Sequence, residues 1–302
     1  LKVHETILEV NLNAIVNNLD KYRSMLSADT KIACMVKASA YGTGAIEVAK
    51  TLQDCKVDYL AVAVADEGRE LRNAGITTSI MVMNPERTSF KLLFDYKLEP
   101  EIYSFHLLEE LIRAAEHNGI TNFPIHIKID TGMHRLGFAP SDIPELVRRL
   151  KRQTAVIPSS VFSHFAGSDS AYFDDYSELQ VERFKMAADT LQEAFRHYIA
   201  RHICNSAGIE RLPQQHFDMV RLGLGLYGVN PINNQLIDNV ATLKTTILQI
   251  RNLPKDETVG YSRKGVLERD SKIAALPIGY ADGLNRRLGN RNAYCLVNGK
   301  KA

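Results

Sequence analysis

Residues 32–44 read IACMVKASAYGTG, and they contain the transition that decides the fold. Ile32 to Val36 is a short apolar run between polar residues, which predicts a buried strand. This run is followed by Lys37, several small residues, Tyr41 and two glycines. Such a composition is typical of a strand that passes through a turn into a helix. Lys37 is therefore either a solvated strand end or an amine held at the mouth of a core. Its position alone favours the solvated strand end.

The composition predicts a soluble globular protein. The 302 residues are 45% hydrophobic and 24% charged, with a formal net charge of +2. The small net charge argues against a dedicated nucleic-acid binder. The sequence contains no apolar run near the roughly 18 residues that span a bilayer and no signal-peptide profile at its start. The scattered cysteines lack C-x-x-C spacing and predict free thiols in a reducing cytoplasm; they are Cys34, Cys55, Cys204 and Cys295.

Short apolar runs alternate with helical patterns along most of the chain. Eight runs are strand candidates: IACMV, YLAVAVA, SIMVMN, EPEIYS, FPIHIKID, SSVFSHF, RHICNS and MVRLGLGLYG. Amphipathic segments lie between most of them, the longest being SELQVERFKMAADTLQEAF, with Leu179, Phe184, Leu191 and Phe195 on its expected apolar stripe. Eight βα units favour a closed (β/α)8 TIM barrel over an open doubly wound sheet. The lack of G-x-G-x-x-G after a strand also weighs against a dinucleotide fold.

The pattern changes after Asn230. Runs of β type joined by turns follow: ATLKTTILQIRNL, ETVGYSRKG, SKIAALPIGY and AYCLVNG. We therefore expect a barrel over residues 9–233 and the start of a mainly β domain over residues 234–302, which the N-terminal strand at residues 1–8 joins. Because the sequence begins without methionine and stops inside a strand-like run, we expect it to be a piece of a longer product.

Polar side chains stand at the predicted carboxyl ends of the barrel strands, where the functional groups of a TIM barrel collect. They are Lys37, Lys128, Asp130, Arg135, His164, Asn205, Ser206 and Arg221. Each also has an ordinary structural interpretation. Lys128 and Asp130 could form an ion pair, His164 could be a core histidine, and the others could be turn formers or charges at the rim. Together they predict a pocket that holds cations, hydrogen-bond donors and an amine nucleophile.

The pattern favours one class of ligand for this pocket. Ser206 and the glycines of LGLGLYG (residues 222–228) can offer a hydroxyl and backbone N–H groups to a phosphate, and Tyr41 can add a phenol. An amine beside a phosphate site indicates pyridoxal phosphate, which forms Schiff bases with lysine. The spacing of cysteine and histidine is not that of a metal site, so a metal enzyme is disfavoured.

Seven segments resemble, in the same order, the motif blocks of the alanine racemases, a family of barrel-type pyridoxal phosphate enzymes. They are MVKASAYGTG, IKIDTGMHRLGF, VFSHFAGSD, HICNSAG, MVRLGLGLYG, ETVGYSRKG and LPIGYADG. Residues 202–231 further resemble the racemase half of proteins fused to a muramoyl-tripeptide–D-alanyl-D-alanine ligase. The chain departs from the usual family residues at Ser39, Thr43 and His134, which replace Asn, His and Gly. A later C-M-D block and a further active-site tyrosine of the family lie beyond residue 302.

The resemblance implies a racemase that interconverts L- and D-alanine and supplies D-alanine for peptidoglycan. It implies that Lys37 is the Schiff-base lysine and the base for the D-enantiomer. Tyr261, from the other subunit of a cytoplasmic homodimer, is then the base for the L-enantiomer. Racemisation needs a base on each face of the α-carbon, because a single base tends to return the proton to the face it came from.

The resemblance implies cofactor contacts for the remaining residues. It places Tyr41, Ser206, Gly223 and Leu224 at the phosphate, Arg221 at the pyridine nitrogen with His164 as its hydrogen-bonded neighbour, and Asn205 and Tyr280 among the cofactor-binding residues. Arg135 matches a residue that touches the phenolic oxygen of the cofactor and contributes to substrate binding. Lys128 matches a lysine that is carbamylated in many members and then orients that arginine; unmodified Lys128 paired with Asp130 is the competing interpretation.

Two alternatives stay open at this point. The substrate could be serine or another small amino acid, since the sequence of the pocket is incomplete. The chain could also be a non-enzymatic pyridoxal phosphate-binding barrel protein. Tyr261 and the β segment from residue 234 argue against that second alternative, because such proteins lack the second domain.

Overall fold

The computed structural model describes residues 5–235, 237–290 and 292–302. The chain forms two compact units. One contains residues 11–240, and the other contains residues 241–302 together with the described N-terminal residues up to Val10. The first strand of the chain, β1 (Ile7–Val10), belongs to the second of these units.

Eight parallel strands form the sheet of the larger unit, at the eight predicted places. They are β2 (Lys31–Met35), β3 (Tyr59–Val62), β4 (Ser79–Val82), β5 (Leu98–Ile102), β6 (Phe123–Lys128), β7 (Val156–Phe162), β8 (Ala200–His202) and β9 (Met219–Leu222). Their order in the sheet is β8-β7-β6-β5-β4-β3-β2-β9. Between the two end strands, the Asp218 N–H donates to the Arg201 carbonyl and the Arg221 N–H to the Cys204 carbonyl. The sheet is thus a nearly closed barrel, which confirms the predicted fold class.

Nine α-helices connect and flank these strands in the described part of the chain. They are α1 (Leu12–Arg23), α2 (Lys37–Tyr41), α3 (Ala45–Asp54), α4 (Ala65–Asn73), α5 (Phe90–Asp95), α6 (Phe105–His117), α7 (Ile143–Leu150), α8 (Asp174–Ala194) and α9 (Ser206–Arg211). The predicted stripe of α8 is partly wrong, because Leu179 is exposed while Val181 is buried beside Phe184 and Leu191. None of the described helices is both long and apolar enough to cross a membrane.

Small and flexible side chains fill part of the barrel interior. Ala33, Met35, Ala61, Met81 and Met219 form one buried cluster. Successive residues of a strand point to opposite faces of the sheet, so residues two apart share a face. On β5 and β6 the inward face carries polar side chains instead: Glu99 and Glu101 on β5, paired with His126 and Lys128 on β6.

The smaller unit is built from antiparallel strand pairs, as predicted for a mainly β domain. Its further strands are β10 (Ala241–Lys244), β11 (Gln249–Leu253), β12 (Thr258–Val259), β13 (Gly265–Val266), β14 (Ser271–Ala275), β15 (Leu296–Val297) and β16 (Lys300–Lys301). β1 pairs with β10, β11 with β14, β12 with β13, and β15 with β16. Tyr261 and Tyr280 lie in this unit, and both are exposed.

Candidate active site

A pocket of about 580 Å³ opens at the carboxyl ends of the barrel strands. Its volume is in the range typical of small-molecule sites. It brings together most of the sequence-predicted site residues: Lys37, Tyr41, Lys128, Arg135, His164, Asn205, Ser206, Arg221, Gly223 and Leu224. It also contains Glu101, which the sequence analysis did not single out. Tyr261 and Tyr280 belong to the other unit.

Lys37 follows the end of β2 and begins an unusual turn. Ala38, Ser39 and Ala40 have φ of 52° and Tyr41 has φ of 55°, all in the left-handed region. Such a conformation costs roughly 1–2 kcal/mol for each residue with a Cβ. Four in succession mark a segment whose shape is imposed by its surroundings, which is typical of functional sites. The amine of Lys37 is therefore presented at the pocket by a strained turn and not by an ordinary helix start.

Glu67 of α4 holds this turn against the neighbouring strand end. Its Oε1 accepts a hydrogen bond from the Ala38 N–H, and its Oε2 accepts one from the Ala63 N–H, both at 2.6 Å. Hydrogen bonds to an ionised acceptor are among the stronger ones in proteins. One carboxylate thus fixes the residue after Lys37 to the segment after β3. Sequence reasoning missed Glu67, which stands in an ordinary amphipathic helix.

Ser206, Gly223 and Tyr41 form the part of the pocket predicted to hold a phosphate. The Ser206 hydroxyl accepts hydrogen bonds from the Gly223 N–H at 3.0 Å and the Gly225 N–H at 3.3 Å. A Cβ on Gly223 would lie 3.2 Å from the Tyr41 hydroxyl, and one on Gly225 would lie 2.2 Å from the hydroxyl of Tyr22. The glycines therefore let the loop after β9 approach these side chains closely. Asn205 caps α9, where its Oδ1 accepts from the Gly208 N–H.

Arg221 projects from β9 into the buried end of the pocket. Its Nη2 donates to the Ser163 carbonyl at 2.6 Å, the Ile203 carbonyl at 3.1 Å and Nδ1 of His164 at 3.1 Å. Burial lowers the pKa of Arg221 to about 10, which still leaves it charged at neutral pH. Burial is the main cause that holds the pKa of His164 well below 6.5, and the charge of Arg221 is the second. A neutral His164 can accept a hydrogen bond from Arg221 at Nδ1, as the contact requires.

A hydrogen-bonded chain continues from Arg221 through the barrel interior. Arg221 Nη1 lies 2.7 Å from His202 Nδ1, His202 Nε2 lies 2.9 Å from the Ser160 hydroxyl, and that hydroxyl lies 2.7 Å from His126 Nδ1. His126 Nε2 ends the chain, 3.0 Å from Glu99 Oε2. One direction satisfies every link, since each group donates to the next and Arg221 is the first donor. Burial, and secondly the charge of Arg221, lowers the pKa of His202 well below 6.5. A neutral His202 can accept the hydrogen bond from Arg221 at Nδ1.

Lys128 pairs with Glu101 and not with Asp130, its partner in the competing interpretation of the sequence. The amine of Lys128 lies 3.1 Å from Oε1 of Glu101, and both side chains are buried. The contact is an ion pair of poor hydrogen-bond geometry, and among the described residues the two Glu101 oxygens have no hydrogen-bond partner. Burial raises the pKa of Glu101, while Lys128, Arg221 and Arg135 oppose that rise. Burial likewise lowers the pKa of Lys128.

Asp130 instead shapes the loop that carries Arg135. Its Oδ1 accepts from the N–H groups of Gly132 and His134, both at 3.0 Å, and its Oδ2 lies 3.2 Å from His134 Nδ1. Burial raises the pKa of Asp130, but these N–H groups lower it by more, so it lies below its usual value. His134 has φ of 53°, a conformation that favours the glycine expected there. The contacts with Asp130 offset part of that cost, and Arg135 lines the pocket.

Comparison with known families identifies the chain. A family model described as the N-terminal domain of alanine racemase matches residues 10–231, and one described as its C-terminal domain matches residues 240–302. The chain belongs to the alanine racemase family. This racemase interconverts L- and D-alanine, and supply of D-alanine for peptidoglycan fits the family. The predicted activity is thereby confirmed.

Known relatives agree over nearly the whole chain. Alanine racemase 2 of Caldanaerobacter subterraneus subsp. tengcongensis is 37% identical over an alignment of 308 positions, gaps included, which covers 99% of this chain and 78% of the relative. The solved alanine racemase of Clostridium difficile 630 is 34% identical with a TM-score of 0.87, over 95% of this racemase and 76% of that chain. The alanine racemase of Bartonella henselae, solved with covalently bound pyridoxal phosphate, is 26% identical with a TM-score of 0.86, over 99% and 82% of the two chains. These comparisons do not support the finer resemblance to a fused ligase.

Proposed function

We propose that pyridoxal phosphate is the cofactor of this racemase and that it binds in the barrel pocket through Lys37. One observation carries the proposal: the Lys37 amine, the Ser206 hydroxyl and the Arg221 guanidinium line the same pocket although they come from three different strand ends. An amine, an anion site and a buried cation are the groups that this cofactor requires.

The residues fit the phosphate of the cofactor. The Ser206 hydroxyl accepts from the N–H groups of Gly223 and Gly225, so its own proton is free to point at an anion. Tyr41 lies beside Gly223 and packs against Tyr227, with ring centroids 4.6 Å apart. Tyr227 in turn donates to the Met35 carbonyl at 2.7 Å. Ser206, Tyr41 and the loop at Gly223 would therefore hold the phosphate on a fixed framework.

Arg221 would hold the ring of the cofactor at its nitrogen. An arginine cannot readily give up a proton, so the ring nitrogen beside it stays largely uncharged. The groups that hold Arg221 in this pocket are backbone carbonyls and the neutral imidazoles of His164 and His202. When bound, pyridoxal phosphate takes up the negative charge that deprotonation leaves at the substrate α-carbon. A weaker electron sink limits the diversion of that charge into transamination.

Lys37 and Tyr261 would move the proton on opposite faces of the substrate. Lys37 serves the D-enantiomer and Tyr261 the L-enantiomer, and in this proposal Tyr261 comes from the second subunit of a homodimer. A symmetric dimer would contain two equivalent sites of this kind. The match of residues 240–302 to the C-terminal domain of the family supports an enzyme over a non-enzymatic barrel protein, since Tyr261 lies within that match.

Covalent labelling tests the proposal. The purified protein should absorb visible light, and borohydride reduction should bleach that absorbance and leave a pyridoxyl group on Lys37, which peptide mass spectrometry can locate. Lys37→Ala should carry no label. A label on a different lysine, such as Lys128, would show that the assignment is wrong. Loss of optical rotation with L-alanine, L-serine and L-lysine in parallel would define the substrate preference.

A further inference from the structure

The buried pair of Glu101 and Lys128 has no role in the chemistry proposed above, although it lies in the wall of the same pocket. Glu101 is completely buried, and Lys128 is 5% exposed. A carboxyl group is costly to bury, and it is retained only where a partner or a role compensates for that cost. Here the oxygens of Glu101 have the Lys128 amine nearby but no hydrogen-bond partner among the described residues.

The surroundings of Glu101 are rich in positive charge. Lys128, Arg221 and Arg135 each act on Glu101 and oppose the rise of its pKa. The amine of Lys128 also lies over the ring of Phe162, 5.3 Å from its centroid, and the guanidinium of Arg221 lies 5.1 Å from the same centroid. Without an acid, these cations would repel one another in a buried place. Whichever member holds the proton, the Glu101–Lys128 pair has no net charge and removes this repulsion.

The same geometry argues against a carbamate on Lys128. Carbamylation replaces the amine by an anion, and Oε1 of Glu101 lies only 3.1 Å from the amine nitrogen. A carbamate and an ionised Glu101 side by side in a buried site would strongly disfavour each other.

We propose that Glu101 is a positioning residue that supplies the acidic group of this cluster, so that Lys128 works as an unmodified amine and the enzyme does not depend on carbon dioxide. The proposal rests on the function proposed above, because it gives Glu101 the task of holding the cationic side chains that face the cofactor. It deepens that function by assigning a residue to a position where a chemical modification of Lys128 was expected.

Carbon-13 NMR of the complete protein in labelled bicarbonate tests the absence of the carbamate without any variant. The wild-type protein should show no carbamate signal. Glu101→Ala removes the carboxyl group and leaves space of about the size of a carbamate, so a signal should appear, and it should vanish in the Glu101→Ala, Lys128→Ala double variant. Asp130→Asn is the matched control, and it should show no signal because Asp130 contacts His134 and not Lys128.

Glu101→Gln tests the positioning role with little change in shape. The rate of racemisation should fall by about tenfold to a hundredfold. Loss of a residue that orients a metal ligand through a hydrogen bond has an effect of that size. The visible absorbance of the bound cofactor should shift as well, and Glu101→Asp should restore part of both. Far-UV circular dichroism and the borohydride label on Lys37 show separately whether each variant folds and binds cofactor.

Two results would overturn the proposal. One is a carbamate signal in the wild-type protein that Lys128→Ala removes. The other is a Glu101→Gln variant that keeps wild-type racemisation and absorbance within about twofold. Either result leaves the Lys37 label intact, so the proposed cofactor site would stand. A missing Lys37 label in the wild-type protein would instead refute the cofactor site itself.

Discussion

Replacing Glu67 by Gln should loosen the turn that presents Lys37. The two Glu67 oxygens each accept a backbone N–H at 2.6 Å, from Ala38 and from Ala63. A hydrogen bond to a charged group contributes about 1.5–3 kcal/mol net. Glutamine has almost the same shape, but it keeps one acceptor and turns an amide donor toward the other N–H. One hydrogen bond is lost, and the other no longer has a charged acceptor. We therefore expect the free energy of unfolding to fall by about 2–3 kcal/mol.

The functional effect should follow from the strain in the turn. Residues 38–41 occupy the left-handed region only while their surroundings hold them there, so loss of the Ala38 bond allows the backbone beside Lys37 to relax. We expect kcat to fall more than KM changes, and borohydride labelling of Lys37 to be incomplete. Urea unfolding followed by circular dichroism measures the stability. Glu70→Gln, on the exposed side of the same helix, is the control. Equal stability and labelling of the Glu67→Gln and Glu70→Gln proteins would refute the reasoning.

Three further predictions concern the cofactor site and the dimer. Arg221→Glu should slow racemisation and raise the share of transamination products, and an unchanged product ratio on chromatography would contradict the role of Arg221 at the ring. Folding lowers the pKa of His164 and His202, so the unfolded chain binds more protons than the folded protein below about pH 6.5. The free energy of unfolding should therefore fall as the pH drops from about 6.5 toward 5. Denaturant midpoints that stay constant over this range would contradict the lowered pKa values. Mixing inactive Lys37→Ala and Tyr261→Phe chains should restore about a quarter of wild-type activity if the subunits share sites, and nothing if each chain completes its own site.

The sequence predicts the barrel and most of the pocket because both follow from local patterns. Eight apolar runs mark eight strands, and the carboxyl ends of barrel strands meet at one place, so Lys37, Ser206 and Arg221 could be brought together without coordinates. The roles of these residues rest on the family resemblance and stay predictions. The strand candidates were sound because a barrel strand buried on both faces is a nearly continuous apolar run.

The strand residues that sequence reasoning missed are those whose partners lie on other strands. Glu101 and His202 each stand in a short run that was identified only as a strand, and their partners Lys128 and Arg221 are distant along the chain. Asp130, two residues from Lys128, was its partner in the competing interpretation, but Asp130 instead contacts His134 in the turn after β6. An ionisable residue on the inward face of a barrel strand was the available signal, since such a side chain needs a buried partner.

In the role proposed for Arg221, its hydrogen-bond acceptors would connect the fold to the choice of reaction. A carboxylate in hydrogen-bond contact with Arg221 would compete for the guanidinium and draw it away from the pocket. The barrel instead surrounds Arg221 with two backbone carbonyls and two neutral imidazoles, and burial keeps those imidazoles uncharged. The acidic groups stand farther away: Glu99 at the end of the chain through His202, and Glu101 beside Lys128. Arg221 therefore keeps its charge and a fixed direction, and in the role proposed for it these two properties would let it disfavour transamination from the ring nitrogen.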